Sequence, residues 1–218
     1  KVMSTQRWWV HKFGGSSVAN ADCFRRVAAI IEQDPHERLG VVLSACRGVT
    51  DQLLGLVAAA ERRDEAACRD GLAALDARHA GIAGELLGPE AAADYNRQLR
   101  AELEDIRGIL HTVALIRAAG DNVRDLVSGF GEILSTRLFA AFLDARGRRS
   151  PVRRIDARKV LTVEWGPLGP VVQWEASRAR ADAEIDRNAP ATLVITGFIA
   201  SDPQGLQTTL GRNGSDFS

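Results

Sequence analysis

The sequence has few cysteines and few aromatic residues. Its three cysteines, Cys23, Cys46 and Cys68, are widely separated, and no Cys-x-x-Cys pair or Cys/His cluster occurs. This spacing argues against a zinc site, and it favours small apolar side chains in a reducing compartment over a secreted protein. We therefore expect a cytoplasmic protein with no metal ligands of its own.

An excess of charge and a long apolar run are also missing. Lys+Arg and Asp+Glu number 28 each, which argues against a general nucleic-acid binder but leaves room for a local basic pocket. No apolar run approaches a membrane span, and the N-terminus lacks the apolar stretch of a signal peptide. Neither nucleic acid nor a membrane is expected as a partner.

The two ends of the chain differ from its middle. Lys1 and Val2 precede Met3, so we interpret residues 1–7 as an N-terminal extension or a tag remnant. Residues 213–218 resemble a loop that enters a helix, and the sequence stops there. We therefore expect residues 8–218 to be a truncated domain.

The hydrophobic pattern predicts an α/β fold with a mainly parallel sheet, because strand patterns alternate with helix patterns. Ligands of such sheets bind beyond the carboxyl ends of the strands, where the polar and glycine-rich segments of this chain lie. The predicted strands are 8–13, 39–44, 151–155, 192–199 and 206–210. The predicted helices are 20–33, one from Thr50, 65–119 with a break near Gly88-Pro89, 131–145 and 175–187.

A glycine-rich segment, Lys-Phe-Gly-Gly-Ser-Ser at positions 12–17, ends the first predicted strand. Adjacent glycines allow close approach of the backbone to a ligand and leave N–H groups for an anion. A lysine at the strand end adds positive charge for phosphate. The segment is not a Walker A loop, and a tight strand-to-helix turn is the alternative interpretation.

Two further segments are candidates for binding a small polar ligand. Residues 44–50 (Ser-Ala-Cys-Arg-Gly-Val-Thr) follow the second strand, although helix capping by Thr50 is the preferred interpretation of this segment by itself. Residues 128–132 (Ser-Gly-Phe-Gly-Glu) bring Glu132 to a helix start. That carboxylate suits either a substrate ammonium group or the helix dipole.

The last candidate is Leu-Gly-Arg-Asn-Gly-Ser-Asp at positions 210–216. Arg212 can bind a carboxylate through two hydrogen bonds, and the glycines allow backbone amides to face phosphate. Asp216 can orient a lysine or act near a metal ion. A polar turn is the alternative interpretation. It is weaker, because a simple turn does not explain why so many functional groups occur together in this segment.

Taken in order, these segments resemble the aspartokinases of the amino acid kinase family. Residues 12–18 and 210–218 are similar to the two signature segments of that family, and 42–45, 131–132 and 196–199 fall between them in the family's order. The resemblance covers essentially the whole chain. It implies a three-layer α/β/α sandwich in which residues 8–218 form the aspartate-binding half of a kinase domain whose nucleotide half is incomplete.

The same resemblance implies phosphorylation of the side-chain carboxylate of L-aspartate by ATP, with Mg²⁺ bound to the nucleotide. The product would be 4-phospho-L-aspartate, the first intermediate toward lysine, threonine and methionine. The residues implied around aspartate are Ser44, Thr50, Glu132 (on the α-ammonium), Phe198, Arg212 (on the α-carboxylate) and Ser215. Those implied around the phosphates are Lys12, Gly14, Gly15, Ser16 and Gly214, with Asp216 positioning Lys12.

The features of the family also bear on the complete protein. His11 and Asn213 resemble the forms that are fused to homoserine dehydrogenase. Because the adenine-binding part and the regulatory domain are missing, we expect the chain alone to have little kinase activity. A homo-oligomer is expected for the full-length protein.

Three other functions remain as alternatives. A kinase of the same fold that acts on another acidic amino acid is the nearest one, and Arg212 with Glu132 favours a free α-amino acid over an acylated substrate. A non-catalytic ligand-binding module belongs to a different class. A Rossmann oxidoreductase is least favoured, because no G-x-G-x-x-G follows the first strand.

Overall fold

A four-stranded parallel sheet lies at the centre of the fold. The computed structural model describes residues 7–211. In chain order the elements are β1 (Trp9–Phe13), a 3₁₀ turn (Gly15–Val18), α1 (Ala21–Gln33), β2 (Arg38–Leu43), α2 (Val49–Glu61), α3 (Glu65–Leu86), α4 (Pro89–Ile116), α5 (Asp121–Ser128), α6 (Phe130–Ala145), β3 (Val152–Ile155), α7 (Ala157–Val160), β4 (Val163–Gly166), β5 (Gly169–Val172), α8 (Trp174–Glu184), β6 (Ala191–Thr196), β7 (Ile199–Ser201) and β8 (Gln207–Thr209).

The sheet has the strand order β1-β2-β6-β3, and all three pairings are parallel. Leu43, the last residue of β2, pairs with Phe13 of β1 and with Thr196 of β6, so these three strands end at the same edge. Two antiparallel hairpins, β4-β5 and β7-β8, lie outside this sheet. The predicted α/β fold with a parallel sheet is confirmed.

The two faces of the sheet are covered unequally. On one face Leu39, Val41 and Leu43 of β2 join a large core with α1, α2, α3, α4 and α6. On the other face Ile155, Ala191 and Leu193 form a small cluster, against which side chains near α7 and α8 pack. Val10 of β1 remains 64% exposed. The sandwich is therefore thick on one side and thin on the other.

Most predicted helix boundaries agree with the structure within a few residues. The Asn20 side chain accepts a hydrogen bond from the Cys23 N–H (3.0 Å) and caps α1, which ends directly before Asp34. The predicted break near Gly88-Pro89 separates α3 from α4. The apolar stripe predicted for this region is buried on α4, at Leu99, Leu103, Ile106, Leu110 and Val113.

Two local predictions were wrong. Thr50 does not cap α2, because Gly48 occupies the N-cap position in a left-handed conformation (φ 78°) without a side-chain cap. The strand predicted over 192–199 is interrupted after Thr196, and Phe198 adopts a left-handed φ of 62° before β7 begins. Both departures place loop residues at the carboxyl edge of the sheet.

One stretch of the described residues, Asp121–Ala145, is long and apolar enough to cross a membrane by length and composition alone. The expectation that no apolar run approaches a membrane span was therefore wrong. However, 78% of its apolar window is buried inside the protein. Leu134, Leu138 and Phe139 are fully buried there, so packing in the core accounts for the apolar character of this segment.

Candidate functional site

Four polypeptide segments meet at the carboxyl edge of the sheet and enclose a cleft of about 280 Å³. They are the glycine segment after β1, the loop between β2 and α2, the first turn of α6 and the turn after β6. Five of the predicted site residues line the cleft: Gly15, Ser44, Thr50, Glu132 and Phe198. Cys46, Arg47 and Asp51, which were not assigned a role from sequence, also line it. The structure thus brings together residues that are up to 183 positions apart, from Gly15 to Phe198.

The glycine segment starts from an exposed Lys12 near the end of β1. Gly14 precedes the 3₁₀ turn, and its carbonyl accepts the Ser17 N–H (2.9 Å). Ser16 is exposed. Lys12, Gly14 and Ser16 are not among the described residues that line the cleft, but they flank Gly15, which does line it.

The loop between β2 and α2 is joined to the glycine segment by backbone hydrogen bonds. The Ser44 N–H donates to the Phe13 carbonyl (3.1 Å), and the Arg47 N–H donates to the Gly15 carbonyl (3.0 Å). A Cβ atom on Gly15 would lie 2.8 Å from the Ala45 carbonyl oxygen, closer than such atoms pack. Residue 15 must therefore be glycine for the two segments to touch.

Glu132 forms the floor of the cleft and is 2% exposed. Its Oε1 accepts the Ala45 N–H (3.1 Å), whereas Oε2 is buried and has no hydrogen-bond partner among the described residues. Burial raises the pKa of Glu132 to about 8, although the hydrogen bond from Ala45 opposes this change. A buried carboxylate oxygen without a partner is costly, so it marks a place for a cation or a donor.

The position of Glu132 depends on how closely α6 approaches the loop after β2. A Cβ atom on Gly131 would lie 2.6 Å from the Ala45 Cβ. Ser135, one turn along α6, donates through its hydroxyl to the Ser44 carbonyl (2.8 Å). Sequence reasoning missed Ser135, but its i+3 spacing from Glu132 on a predicted helix is a signal that could have identified it.

The turn after β6 forms the opposite wall. The Gly197 N–H donates to the Leu43 carbonyl (2.8 Å), which fixes the turn to the end of β2. Phe198 then has a positive φ, a conformation that costs a non-glycine residue energy and persists where the surroundings enforce it. Its carbonyl accepts the Leu210 N–H (2.8 Å). Phe198 is therefore held in place from both sides, as a residue with a role in the site would be.

A second cavity of about 580 Å³ shares Thr50 and Phe198 with the cleft. Its wall is stabilised by Gln207, which accepts from Arg158 Nη1 (2.7 Å) and donates to the carbonyl of Asp125 (3.0 Å). Burial raises the pKa of Asp125, and a hydrogen bond from the Thr209 hydroxyl (3.2 Å) opposes the change. None of these four residues was predicted, because their contacts join segments that are distant in the sequence.

The remaining predicted residues, Arg212, Gly214, Ser215 and Asp216, lie outside the described residues 7–211. Within that range, no group of three or more His, Cys, Asp or Glu side chains is arranged to hold a metal ion. The geometry therefore describes a cleft with a buried acidic floor, hydroxyl groups and a neighbouring glycine segment. Such a cleft suits a small ligand that carries an ammonium group, beside a site for an anion.

Comparisons with known proteins agree with this arrangement. Residues 7–218 match the amino acid kinase family. Bifunctional aspartokinase/homoserine dehydrogenase 1 of Zea mays is 34% identical over 215 residues, which cover 97% of this chain and 23% of that protein. Lysine-sensitive aspartokinase 3 of Escherichia coli is 34% identical over 211 residues, 96% of this chain and 44% of that protein.

Solved structures extend the similarity to three dimensions. The structure of E. coli aspartokinase III in complex with aspartate and ADP has a TM-score of 0.81 and 30% identity, and the match covers 95% of this chain and 44% of that one. The chain thus spans less than half the length of these relatives. The resemblance to aspartokinases that the motifs carried is confirmed by these matches, and the chain belongs to the amino acid kinase family.

Proposed function

We propose that this chain is the kinase part of an aspartokinase, which transfers a phosphoryl group from ATP to the side-chain carboxylate of L-aspartate. The observation that carries the proposal is the buried Oε2 of Glu132, which has no hydrogen-bond partner in the part of the chain that the structure describes and lies on the floor of a cleft that adjoins a glycine segment. The relatives named above are aspartokinases, and one of their structures contains aspartate and ADP.

In the proposed reaction an oxygen of the aspartate side chain attacks the γ-phosphorus of ATP. The bond from that phosphorus to the bridging oxygen of ADP breaks, and ADP leaves with the electron pair. Glu132 binds the α-ammonium group of aspartate, while the hydroxyls of Ser44 and Thr50 and the ring of Phe198 enclose the rest. The protein contributes mainly position and charge to such a transfer, and these contacts supply the positioning of aspartate.

The nucleotide side of the site follows from the first motif. The backbone of Gly14, Gly15 and Ser16 binds phosphate oxygens, and Lys12 neutralises charge on the transferring group. Mg²⁺ would be held by the phosphates of ATP, as is usual for this ion at nucleotide sites. When bound, the ion offsets the negative charge of the phosphates.

The last motif supplies the other contacts of the proposal. Arg212 binds the α-carboxylate of aspartate and Ser215 lies beside it. Gly214 contributes a backbone contact to phosphate, and Asp216 positions Lys12.

The proposal for the complete protein is broader. Fusion to a homoserine dehydrogenase is supported by the bifunctional relatives. A homo-oligomer, a cytoplasmic location and the absence of nucleic acid and membrane partners remain parts of the proposal. Among the relatives, the Zea mays enzyme is chloroplastic. We also propose that residues 1–218 alone bind ATP poorly and have little activity.

The proposal is tested by a coupled assay of ADP release with aspartate, on this chain and on the complete protein that contains it. Lys12→Ala should abolish the aspartate-dependent signal of the complete protein. Lys159→Ala is the matched control, because Lys159 is exposed on α7, away from the cleft. A complete protein that ignores aspartate but accepts another acidic amino acid would keep the fold assignment and refute the substrate. Binding of aspartate without turnover would favour the non-catalytic module.

A further inference from the structure

Under the proposed function, the glycine segment contacts the nucleotide and the loop after β2 contacts aspartate. Residues 14–16 face the nucleotide, and residues 44–50 face aspartate. These two loops come from neighbouring parallel strands, and the backbone bonds from Ser44 to Phe13 and from Arg47 to Gly15 join them at their inner ends. A third contact, made by a side chain from outside the sheet, joins Ala19 to Arg47.

That third contact is made by Arg78, a partly buried residue in the C-terminal half of α3. Its Nη2 donates to the Ala19 carbonyl (3.1 Å) and to the Arg47 carbonyl (2.9 Å). Ala19 ends the 3₁₀ turn of the glycine segment, and Arg47 lies in the loop that lines the cleft. One guanidinium group therefore bridges the two loops from outside the sheet.

The bridge is suited to hold both loops in one arrangement. A hydrogen bond from a charged donor to a carbonyl is stronger than one between neutral groups. The two loops already contact each other so tightly that Gly15 leaves no room for a side chain. A displacement of either loop must therefore break the contact with Arg78 or move the other loop with it.

We infer that Arg78 is a positioning residue that couples the glycine segment, on the nucleotide side, to the loop between β2 and α2, on the aspartate side. The inference rests on the proposed function for the identity of the two ligands. Coupling between two sites is reciprocal. If ADP raises the affinity for aspartate by some factor, aspartate raises the affinity for ADP by the same factor. Arg78 does not line the cleft, and its hydrogen bonds within the described residues go to the carbonyls of Ala19 and Arg47.

The coupling is measured by titrating aspartate calorimetrically into the complete protein with and without saturating ADP and Mg²⁺. We expect ADP to tighten aspartate binding by about 5-fold or more in the wild type, the lower end of typical coupling. Arg78→Met should bring that ratio to within about 2-fold of unity. Arg78→Lys should keep part of it, because an ammonium group can still donate to both carbonyls.

Arg69→Met is the matched control, because Arg69 lies on the same helix, pairs with Asp70 and does not contact either loop. It should leave the ratio unchanged. A wild-type ratio near unity, or an unchanged ratio in Arg78→Met, would overturn the inference. Thermal melts of Arg78→Met and Arg78→Lys establish that the variants are folded.

A second measurement separates this inference from the proposed function. Hydrogen–deuterium exchange of the ligand-free protein should be faster in residues 13–19 and 44–48 of Arg78→Met than of Arg69→Met. Unchanged exchange in these loops refutes the bridge whatever the substrate is. Faster exchange in a protein that does not bind aspartate keeps the bridge and refutes the substrate assignment.

Discussion

The two walls of the cleft are held by different kinds of interaction. The wall formed by residues 14–19, 44–48 and the first turn of α6, here the glycine wall, depends on close approach of backbone at Gly15 and Gly131. The wall formed by residues 197–209, here the hairpin wall, is fixed by a backbone hydrogen bond at Gly197 and by side-chain hydrogen bonds around Gln207. The glycine wall should therefore be sensitive to added atoms, and the hairpin wall to lost hydrogen bonds.

The difference also concerns function. Glu132 and the backbone N–H groups of the glycine wall are the groups that the proposal assigns to charged parts of the substrates. The hairpin wall contributes Phe198 and the shape of the neighbouring cavity. Substitutions in the glycine wall should thus change activity and stability together, whereas those in the hairpin wall outside Phe198 should change mainly stability.

The largest effect is expected for Glu132→Gln. Loss of the charge opposite the ammonium group of aspartate should lower kcat/KM for aspartate by about 100-fold, since breaking a buried charge pair costs several kcal/mol. KM for ATP should change little. Steady-state kinetics of the complete protein measure both values, and an unchanged kcat/KM for aspartate would remove Glu132 from the proposed site.

The same substitution should remove the dependence of stability on pH that comes from Glu132. The pKa of Glu132 rises from 4.5 to about 8 on folding, so the folded protein keeps a proton that the unfolded chain loses. Stability from this group is therefore present below pH 4.5 and is lost as the pH rises toward 8. Glu132→Gln should be more stable than wild type by roughly 5 kcal/mol above pH 8 and about equal to it near pH 4, because each pKa unit corresponds to about 1.4 kcal/mol. Urea unfolding across this range measures the difference.

Gly131→Ala should have the next largest effect. The added methyl would lie 2.6 Å from the Ala45 Cβ, so α6 or the loop must shift. We expect a loss of about 1–3 kcal/mol in the free energy of unfolding, and weaker binding of aspartate. Gly108→Ala on α4 is the control, because nothing lies within 4 Å of its added methyl and helix propensity alone should stabilise it by about 0.5–1 kcal/mol. Equal behaviour of the two variants would contradict the close-packing explanation.

Gln207→Leu tests the hairpin wall. It removes the hydrogen bonds to Arg158 and to the carbonyls of Asp125 and Leu126, and we expect a loss of about 1–3 kcal/mol in stability. KM for ATP should remain within about 2-fold of wild type, because the glycine segment, which the proposal assigns to the phosphates, lies on the glycine wall. Gln98→Leu, at an exposed position on α4, should change stability by less than about 0.5 kcal/mol. A loss of activity without a loss of stability in Gln207→Leu would contradict the proposed difference between the two walls.

The smallest change in stability is expected for Thr50→Ala. Because Gly48 and not Thr50 occupies the N-cap of α2, the variant should unfold within about 0.5 kcal/mol of wild type, while aspartate binds more weakly. Asn20→Ala, which removes the cap of α1, should cost about 1 kcal/mol. Chemical denaturation measures the free energy of unfolding of both variants, and aspartate titrations measure their affinity for aspartate. A larger loss of stability in Thr50→Ala than in Asn20→Ala would refute these roles.

The elements that sequence predicted well are those with a strong periodic pattern. The buried strand β2, the stripe of α4 and the capped helix α1 each depend on local residue order, and all three were correct within a few residues. The motifs also identified Glu132 and Phe198, which the fold then brings to one cleft. Local pattern and motif order together predicted segments that the fold brings to the same cleft.

What sequence did not predict depends on contacts between distant segments or on backbone conformation. Thr50 looked like a cap because threonine often is one, but the left-handed Gly48 ends the loop first. The run 192–199 is rich in β-branched and apolar residues, so its pattern does not reveal the turn at Phe198, which the hydrogen bond from Gly197 to Leu43 imposes. Arg78 reaches Ala19 across 59 positions, and no spacing rule predicts such a contact.

Under the proposed function, the Oε2 of Glu132, which has no hydrogen-bond partner among the described residues, also couples ligand binding to proton release. With a pKa of about 8, the empty cleft holds a mostly neutral carboxylic acid at neutral pH. An ammonium ligand needs the carboxylate, so each binding event expels a proton into the buffer. Apparent affinity should therefore rise with pH until the acid has ionised, and the heat of binding should vary with the ionisation enthalpy of the buffer.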